Sequence, residues 1–403
     1  MAQYRSAPGI RGNVTLLVLA EIGAMSLWFV SAAILPELTR EVSLAPWRAG
    51  LLSTAVQIGF VLGALVLAVH GTSDRFDPRR VFAICALIAA LSTVVLTVLP
   101  IGSLSQIVAR AITGFCLAGV YPVGMKIAVG WTLRRRGLIV GILVGALTLG
   151  SAAPHGLALM GGADWRVTVI LAASLSATGA GLVLFMRLGP HHAIASTGFD
   201  ASALMLAWRS RPVRLAFAGY LCHMWELYAF WAWIAAALAA SFHLSGLADP
   251  EHAARLVAFF AIALGGAFCV PAGAMADRIG KARVAGGCMA LSGAFAIATA
   301  LSFGGPAWIT AAVAILWGIA VIPDSAQFSA LVADSAPSDR AGSLMTFQTA
   351  LGFLLTAFTI QISPILAQAF GWPIVLAAFG IGPLIGVDAM RRLAHLRRTS
   401  PDR

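Results

Sequence analysis

The chain has 403 residues, of which 60% are hydrophobic and only 11% charged, and it carries a formal net charge of +11. A soluble globular chain carries charge on roughly a quarter of its residues, so this composition excludes a water-soluble domain and makes lipid the solvent. The basic excess does not point to nucleic acid, because Lys and Arg sit in short loops between apolar runs rather than along one helical face, the pattern that sets membrane topology.

In chain order, apolar runs occupy 13–35, 47–70, 80–100, 104–129, 138–160, 166–187, 213–240, 254–275, 282–303, 307–333, 341–368 and 373–391. Each is close to the roughly 20 residues that carry a helix across a hydrocarbon core of about 30 Å, and none alternates as a barrel strand would. They predict an all-α integral membrane protein with twelve transmembrane helices. Arg5 and Arg11 before the first run imitate a signal peptide. That run is too long, contains Glu21 and opens a series of spans, so it is expected to be retained as the first membrane helix. The longest gap, Leu188 to Pro212, holds His191, His192 and several Ser and Gly residues and reads as a linker. Residues 1–187 and 213–403 are then two six-helix bundles joined by a cytosolic segment, 188–212.

With the N-terminus inside, the inner loops hold Arg75, Arg79, Arg80, Arg134, Arg135, Arg136, Arg187, Arg209, Arg211, Arg214, Arg278, Lys281, Arg283 and Arg340, and the outer loops only Arg40, Arg48, Arg166 and Arg255. This asymmetry predicts both termini in the cytosol, in a bacterial inner membrane. The five cysteines, Cys85, Cys116, Cys222, Cys269 and Cys288, are odd in number, far apart and all within apolar runs. They offer neither a disulfide framework nor a zinc set, and no metal or cofactor is expected.

Two loops repeat half a chain apart. Gly273 to Arg283 reads Gly-Ala-Met-Ala-Asp-Arg-Ile-Gly-Lys-Ala-Arg, and His70 to Arg80 reads His-Gly-Thr-Ser-Asp-Arg-Phe-Asp-Pro-Arg-Arg. The separation that relates Asp74 to Asp277 also relates Trp28 to Trp231, and Gly114 with Pro122 is echoed by Gly318 with Pro323. The later loop resembles, at every defined position, the signature G-x-x-x-D-R-x-G-[basic]-x-[basic] of the major facilitator superfamily. The earlier copy departs from it, with His70 for the first glycine and Asp77 for the second. The resemblance implies two pseudo-symmetric bundles around a site at the bilayer midplane. It also implies a cytosolic gate in which Asp74 and Asp277, beside Arg75 and Arg278, dock on neighbouring helix N-termini. The alternative is that these loops are topological anchors only.

Ionisable groups inside spans are functional candidates because charge at the bilayer centre costs at least a few kcal/mol. They are Glu21 in the first helix, Arg110 and Lys126 in the fourth, Glu226 in the seventh and Asp324 in the tenth. In the superfamily these four helices line the central cavity, so Glu21, Arg110, Glu226 and Asp324 are expected to carry substrate recognition and proton coupling. Arg110-x-x-x-Gly114 resembles the family's fourth-helix signature. Counting about 1.5 Å per residue brings Glu226 and Arg110 to similar depths, which allows a pair across the halves. Lys126 near the inner end also suits snorkelling to the headgroups.

Each of Glu21 and Glu226 is followed seven residues later by a tryptophan, Trp28 and Trp233, and two helical turns place them on one face. Met25 joins the first face, and His223 and Phe230 the second. These residues, with Gln57 and Gln327, are the expected cavity lining. Carboxylate-plus-aromatic faces suit a cationic or flat aromatic solute, and helix packing is the competing account. Gly141, Gly145, Gly150 and Pro154 in the fifth helix resemble a degraded antiporter signature. Nitrate is not expected, since the second helix lacks the arginine that nitrate porters of the family use.

The expectation is a proton-coupled secondary transporter of a small organic solute, acting as a monomer. A drug or cation exporter and a small organic or inorganic anion porter are the alternatives within transport; a membrane sensor or scaffold that lost transport is the alternative outside it. No zinc motif, nucleophile elbow or phosphate loop suggests an enzyme.

Overall fold

The computed structural model describes residues 9–131, 136–161, 164–191, 201–337 and 340–399. Among these residues twelve helices are long and apolar enough to cross a membrane: α1 (Ile10–Glu41), α2 (Pro46–Val69), α3 (Pro78–Thr97), α4 (Leu104–Val129), α5 (Leu138–Met160), α6 (Trp165–Phe185), α7 (Arg211–Leu244), α8 (Pro250–Ile279), α9 (Lys281–Leu301), α10 (Ala307–Ala333), α11 (Ala341–Phe370) and α12 (Trp372–Arg398). Among the described residues there is no strand. The helix starts follow local chemistry. Pro46, Pro78, Pro212 and Pro250 lie in first turns, where the missing N–H costs nothing. Asp77, Ser103, Asp164 and Asp249 cap α3, α4, α6 and α8 with side-chain acceptors.

Within the first half α1 packs on α5 and α6, α3 on α6 and α2 on α4; within the second, α7 and α9 pack on α12 and α8 on α10. The halves meet chiefly where α5 lies against α8 and α2 against α11. Glycine permits the closest approaches. A Cβ on Gly114 would fall 2.0 Å from the Val56 carbonyl oxygen, and one on Gly318 would fall 2.2 Å from that of Ala261, so α2–α4 and α8–α10 repeat one contact in the two halves. Large apolar side chains such as Leu91, Phe185, Leu301 and Ile385 are largely exposed, as a lipid-facing perimeter requires.

Three of the spans are interrupted. Helix α1 breaks at residues 26–29, α4 at 118–120 and α10 at 322–324, whereas α7 runs unbroken. Pro122 and Pro323 stand beside the latter two breaks and remove a backbone donor there; the break in α1 has no proline. Within 188–212, Ala201–Met205 and Leu206–Arg209 are short helical turns with Ala203 and Ala207 buried. Residues 192–200 of the linker, with His192, lie outside the described residues, as do Arg5 and Arg134–Arg135.

Candidate functional site in the broken helices

Freed backbone carbonyls at a helix break need partners, because hydrocarbon supplies none. In α1 the partner is Arg110. Its Nη2 donates to the carbonyl oxygens of Leu27 at 3.0 Å and Trp28 at 2.7 Å, and the side chain is wholly buried. A guanidinium at the C-terminal end of a half-helix also meets the negative pole of its dipole. Ser26 completes the break by donating to Gly23 and to Ala172 of α6, at 2.7 and 3.1 Å. The Nε and Nη1 of Arg110 have no protein acceptor.

Glu21 and Asp324 occupy related places. A Cβ on Gly124 would lie 3.1 Å from Glu21 Oε2, so the carboxylate rests against the first turn of the second segment of α4, Tyr121–Val129. Asp324 is the N-terminal cap residue of the second segment of α10, Ser325–Ala333. Both carboxylates therefore lie near the positive pole of a half-helix, and both are buried. Their surroundings differ. Neither oxygen of Glu21 has a hydrogen-bond partner. Oδ1 of Asp324 lies 3.0 Å from His223 Nδ1, and His223 Nε2 lies 2.9 Å from the Ser325 hydroxyl.

Glu226 corrects two expectations. It does not meet Arg110: its oxygens accept from Ser292 of α9 at 2.9 Å and from Trp317 Nε1 of α10 at 2.6 Å. The face it shares with Phe230 and Trp233 turns into the second bundle. Phe230 packs at a tilt against Trp317, ring centres 4.5 Å apart, and Trp233 donates to the Ile360 carbonyl at 3.0 Å and packs on Trp372. The opposite face of α7 is the one that meets the first half. Sequence spacing identified a common face correctly but gave no sign of which way it turns.

That opposing face forms an aromatic plug across the interface. Trp28 of α1 and Phe60 of α2 meet Tyr228 of α7 and Phe353 of α11, with Trp28–Phe353 at 5.6 Å and Phe60–Phe353 at 4.4 Å. Phe29 packs edge-on against Trp231 at 5.6 Å. Of these, only Trp28 stood out as a site residue in the sequence. Met25 instead packs on Gly150 of α5. Gln57 is buried with both amide atoms unpartnered, and Gln327 is buried in α10.

Polar bridges between the halves cluster at one end, remote from the termini. Glu37 of α1 pairs with Arg255 of α8, Arg40 pairs with Glu251, and Gln361 of α11 donates to the Trp47 carbonyl at 2.9 Å. At the terminal end, ion pairs such as Lys281–Asp334 at 2.6 Å and Arg397–Asp334 at 3.3 Å stay inside the second half. The docking expected of Asp277 is not made here: Asp277 and Arg278 are exposed, as is Arg75. The side chain of Asp74 lies outside the described residues.

Twelve membrane-crossing helices in two packed halves, with charges buried on α1, α4, α7 and α10 and a plug between the halves, define a membrane transport protein. Residues 17–358 match the family model described as Major Facilitator Superfamily, and the chain belongs to that family. Its fold is that of a bacterial homolog to the human lysosomal transporter Spinster in an inward-facing conformation, with a TM-score of 0.72, 14% identity and coverage of 97% of this chain and 98% of that one. The nucleoside transporter NupG is likewise similar, with a TM-score of 0.71, 15% identity and coverage of 95% and 99%. Among curated proteins, a gallate transporter of Pseudomonas putida is 32% identical over 165 residues, covering 34% of this chain and 36% of that protein. The uncharacterized transporter YgaY of Escherichia coli is 31% identical over 142 residues, covering 34% of each. These matches span about a third of the length of the curated relatives.

Proposed function

We propose that the chain is a proton-coupled secondary transporter of a small organic solute, working by alternating access. It acts as a monomer in a bacterial inner membrane with both termini cytosolic. The observation that carries this reading is Glu21, a fully buried carboxylate with neither oxygen hydrogen-bonded, beside a half-helix N-terminus in the helix that also supplies the plug. As an anion it is neutralised by no protein partner, which is costly in a low dielectric; a proton removes that cost, and binding and release of the proton give the halves a reason to move. Arg110, Glu226 and Asp324 join it as site residues, Arg110 holding the break of α1, Glu226 fixing α7 to α9 and α10, and Asp324 answering His223. Residues 1–187 and 213–403 rock about the plug, with 188–212 as tether. With the termini inside, the bridges Glu37–Arg255 and Arg40–Glu251 close the outer side, and the exposed Asp277 is a cytosolic latch in its released state.

Within small organic solutes, an aromatic carboxylate is favoured over a cation. Arg110 keeps two buried donors without acceptors, aromatic rings meet on the interface, and one relative is named a gallate transporter.

Purified protein in liposomes under an imposed pH gradient tests the assignment, with gallate and a panel of aromatic acids and cations as solutes. Accumulation should follow the proton gradient in the parent. In Glu21→Gln it should collapse to equilibration, with solute exchange retained. Gradient-driven accumulation that survives in Glu21→Gln sinks the coupling role, and uptake of cations but no acids sinks the substrate class.

A further inference from the structure

Away from the interface, the terminal ends of α9 and α12 flank an open groove of about 480 Å³. Three arginines rim it, Arg283 from the first turn of α9 and Arg391 and Arg398 from α12, about two turns apart. All three are exposed, and none bonds to a described carboxylate. Their neighbours on α12 behave differently: Arg392 pairs with Asp388 at 2.8 Å and Arg397 with Asp334 at 3.3 Å. Among the described residues no acidic one lines the groove. Its floor is apolar and slotted. Gly286, Gly287 and Val387 line it, and a Cβ on Gly287 would find nothing within 4 Å, so the space over that glycine is open.

A cationic rim above an apolar slot, at the level where a membrane helix leaves the hydrocarbon, matches one chemistry: a phosphate joined to an acyl chain. We infer that this groove binds an anionic phospholipid of the leaflet facing the termini, its phosphate on Arg283, Arg391 and Arg398 and a chain laid over Gly287. Topological bias alone places arginines near this surface, but it does not bring three that pair with no described carboxylate from two helices around a slot. Basic clusters at this depth attract acidic headgroups, each cation contributing a measurable share. The site is separate from the transport pathway and does not depend on what is carried.

Delipidated full-length protein, titrated with phosphatidylglycerol, phosphatidylcholine of the same acyl chains, or inorganic phosphate, reads the site by native mass spectrometry and thermal shift. Phosphatidylglycerol should bind at least about tenfold tighter than phosphatidylcholine. The preference should vanish in the triple variant R283Q/R391Q/R398Q and persist in Arg392→Gln. Gly287→Leu keeps the charges, fills the slot and should weaken phosphatidylglycerol; it remains informative if the triple variant does not fold. Equal binding of the two lipids, an undiminished preference in the triple variant, undiminished phosphatidylglycerol binding by Gly287→Leu, or inorganic phosphate stabilising as well as phosphatidylglycerol each overturns the proposal.

Discussion

The two halves share a topology and differ in chemistry. The separation that relates Trp28 to Trp231 brings Glu21 of α1 beside the register of His223 on α7. In the first half that place holds a carboxylate with no partner, facing a half-helix of α4. In the second it holds an imidazole whose two nitrogens meet Asp324 and Ser325 at the start of the matching half-helix of α10. Helix α1 is broken and pinned by Arg110, while α7 is continuous and anchored through Glu226. The contrast teaches that pseudo-symmetry sets where the site lies and local partners set what each half does. In the second half Glu226 accepts from Ser292 and Trp317 and Asp324 lies beside His223, so both carboxylates have polar neighbours; in the first, Glu21 has no hydrogen-bond partner and Arg110 keeps two donors without acceptors.

The largest expected break in this contrast comes from Arg110. Arg110→Met removes the donor from two buried carbonyls, each worth about 1–3 kcal/mol when orphaned, so the detergent-solubilised protein should lose roughly 2–6 kcal/mol of stability and all transport. An unchanged melting temperature would mean that the break in α1 does not need its guanidinium. Next is Glu37→Gln. Glu37 and Arg255 are 5% and 10% exposed at their side chains, and breaking a buried pair costs about 3–5 kcal/mol. That loss should appear as a wider spin-label distance between the α1–α2 and α7–α8 loops. Arg40→Gln at the neighbouring pair, 55% and 35% exposed, should shift it by no more than about 1 kcal/mol.

The sequence made the fold legible because lipid imposes its length rule on every span: all twelve runs became helices, extended at some ends, as where α1 continues to Glu41. The breaks in α4 and α10 carry Pro122 and Pro323, but Pro154, Pro271, Pro364 and Pro383 lie inside helices that run on, so proline alone did not mark them. The break in α1 carries no proline, and its cause is tertiary: Arg110 stabilises it from another helix. The candidate charges were legible as rarities in oil. Their partners were not, because Ser292 and Trp317 are unremarkable in apolar helices, and because the facing of α7, which sends Trp233 inward and Tyr228 to the interface, is set by packing rather than by period.

A sharper comparison sets the two glutamates under one substitution. Glu226→Met strips acceptors from Trp317 and Ser292 and should cost about 1–3 kcal/mol. Glu21→Met removes a carboxylate that nothing holds and should leave the melting temperature unchanged or higher while abolishing proton-driven accumulation. Equal destabilisation by both would erase the distinction between an unpartnered glutamate and a hydrogen-bonded one.

The smallest effect lies in the two loop copies. Asp77 replaces the glycine of the later copy and caps α3, its carboxylate accepting from the Arg79 amide at 3.0 Å and from the Arg79 side chain at 2.7 Å. The bond from the Arg79 side chain holds the Asp77 carboxyl below its ordinary value. Its contribution is therefore present above the unfolded pKa of about 3.9 and lost as pH falls through the lower folded value. Asp77→Ala should cost about 1 kcal/mol, a deficit seen at neutral pH that closes in acid, whereas Asp77→Gly should cost only a few tenths. The reverse exchange is not equivalent. Gly280 sits at φ 100°, ψ 138°, a conformation that side chains resist at a cost of order 1–3 kcal/mol, so Gly280→Asp should destabilise by more than its new cap returns. Equal and opposite shifts from the two exchanges, measured by thermal unfolding across pH 3 to 7, would show that the loops are interchangeable after all.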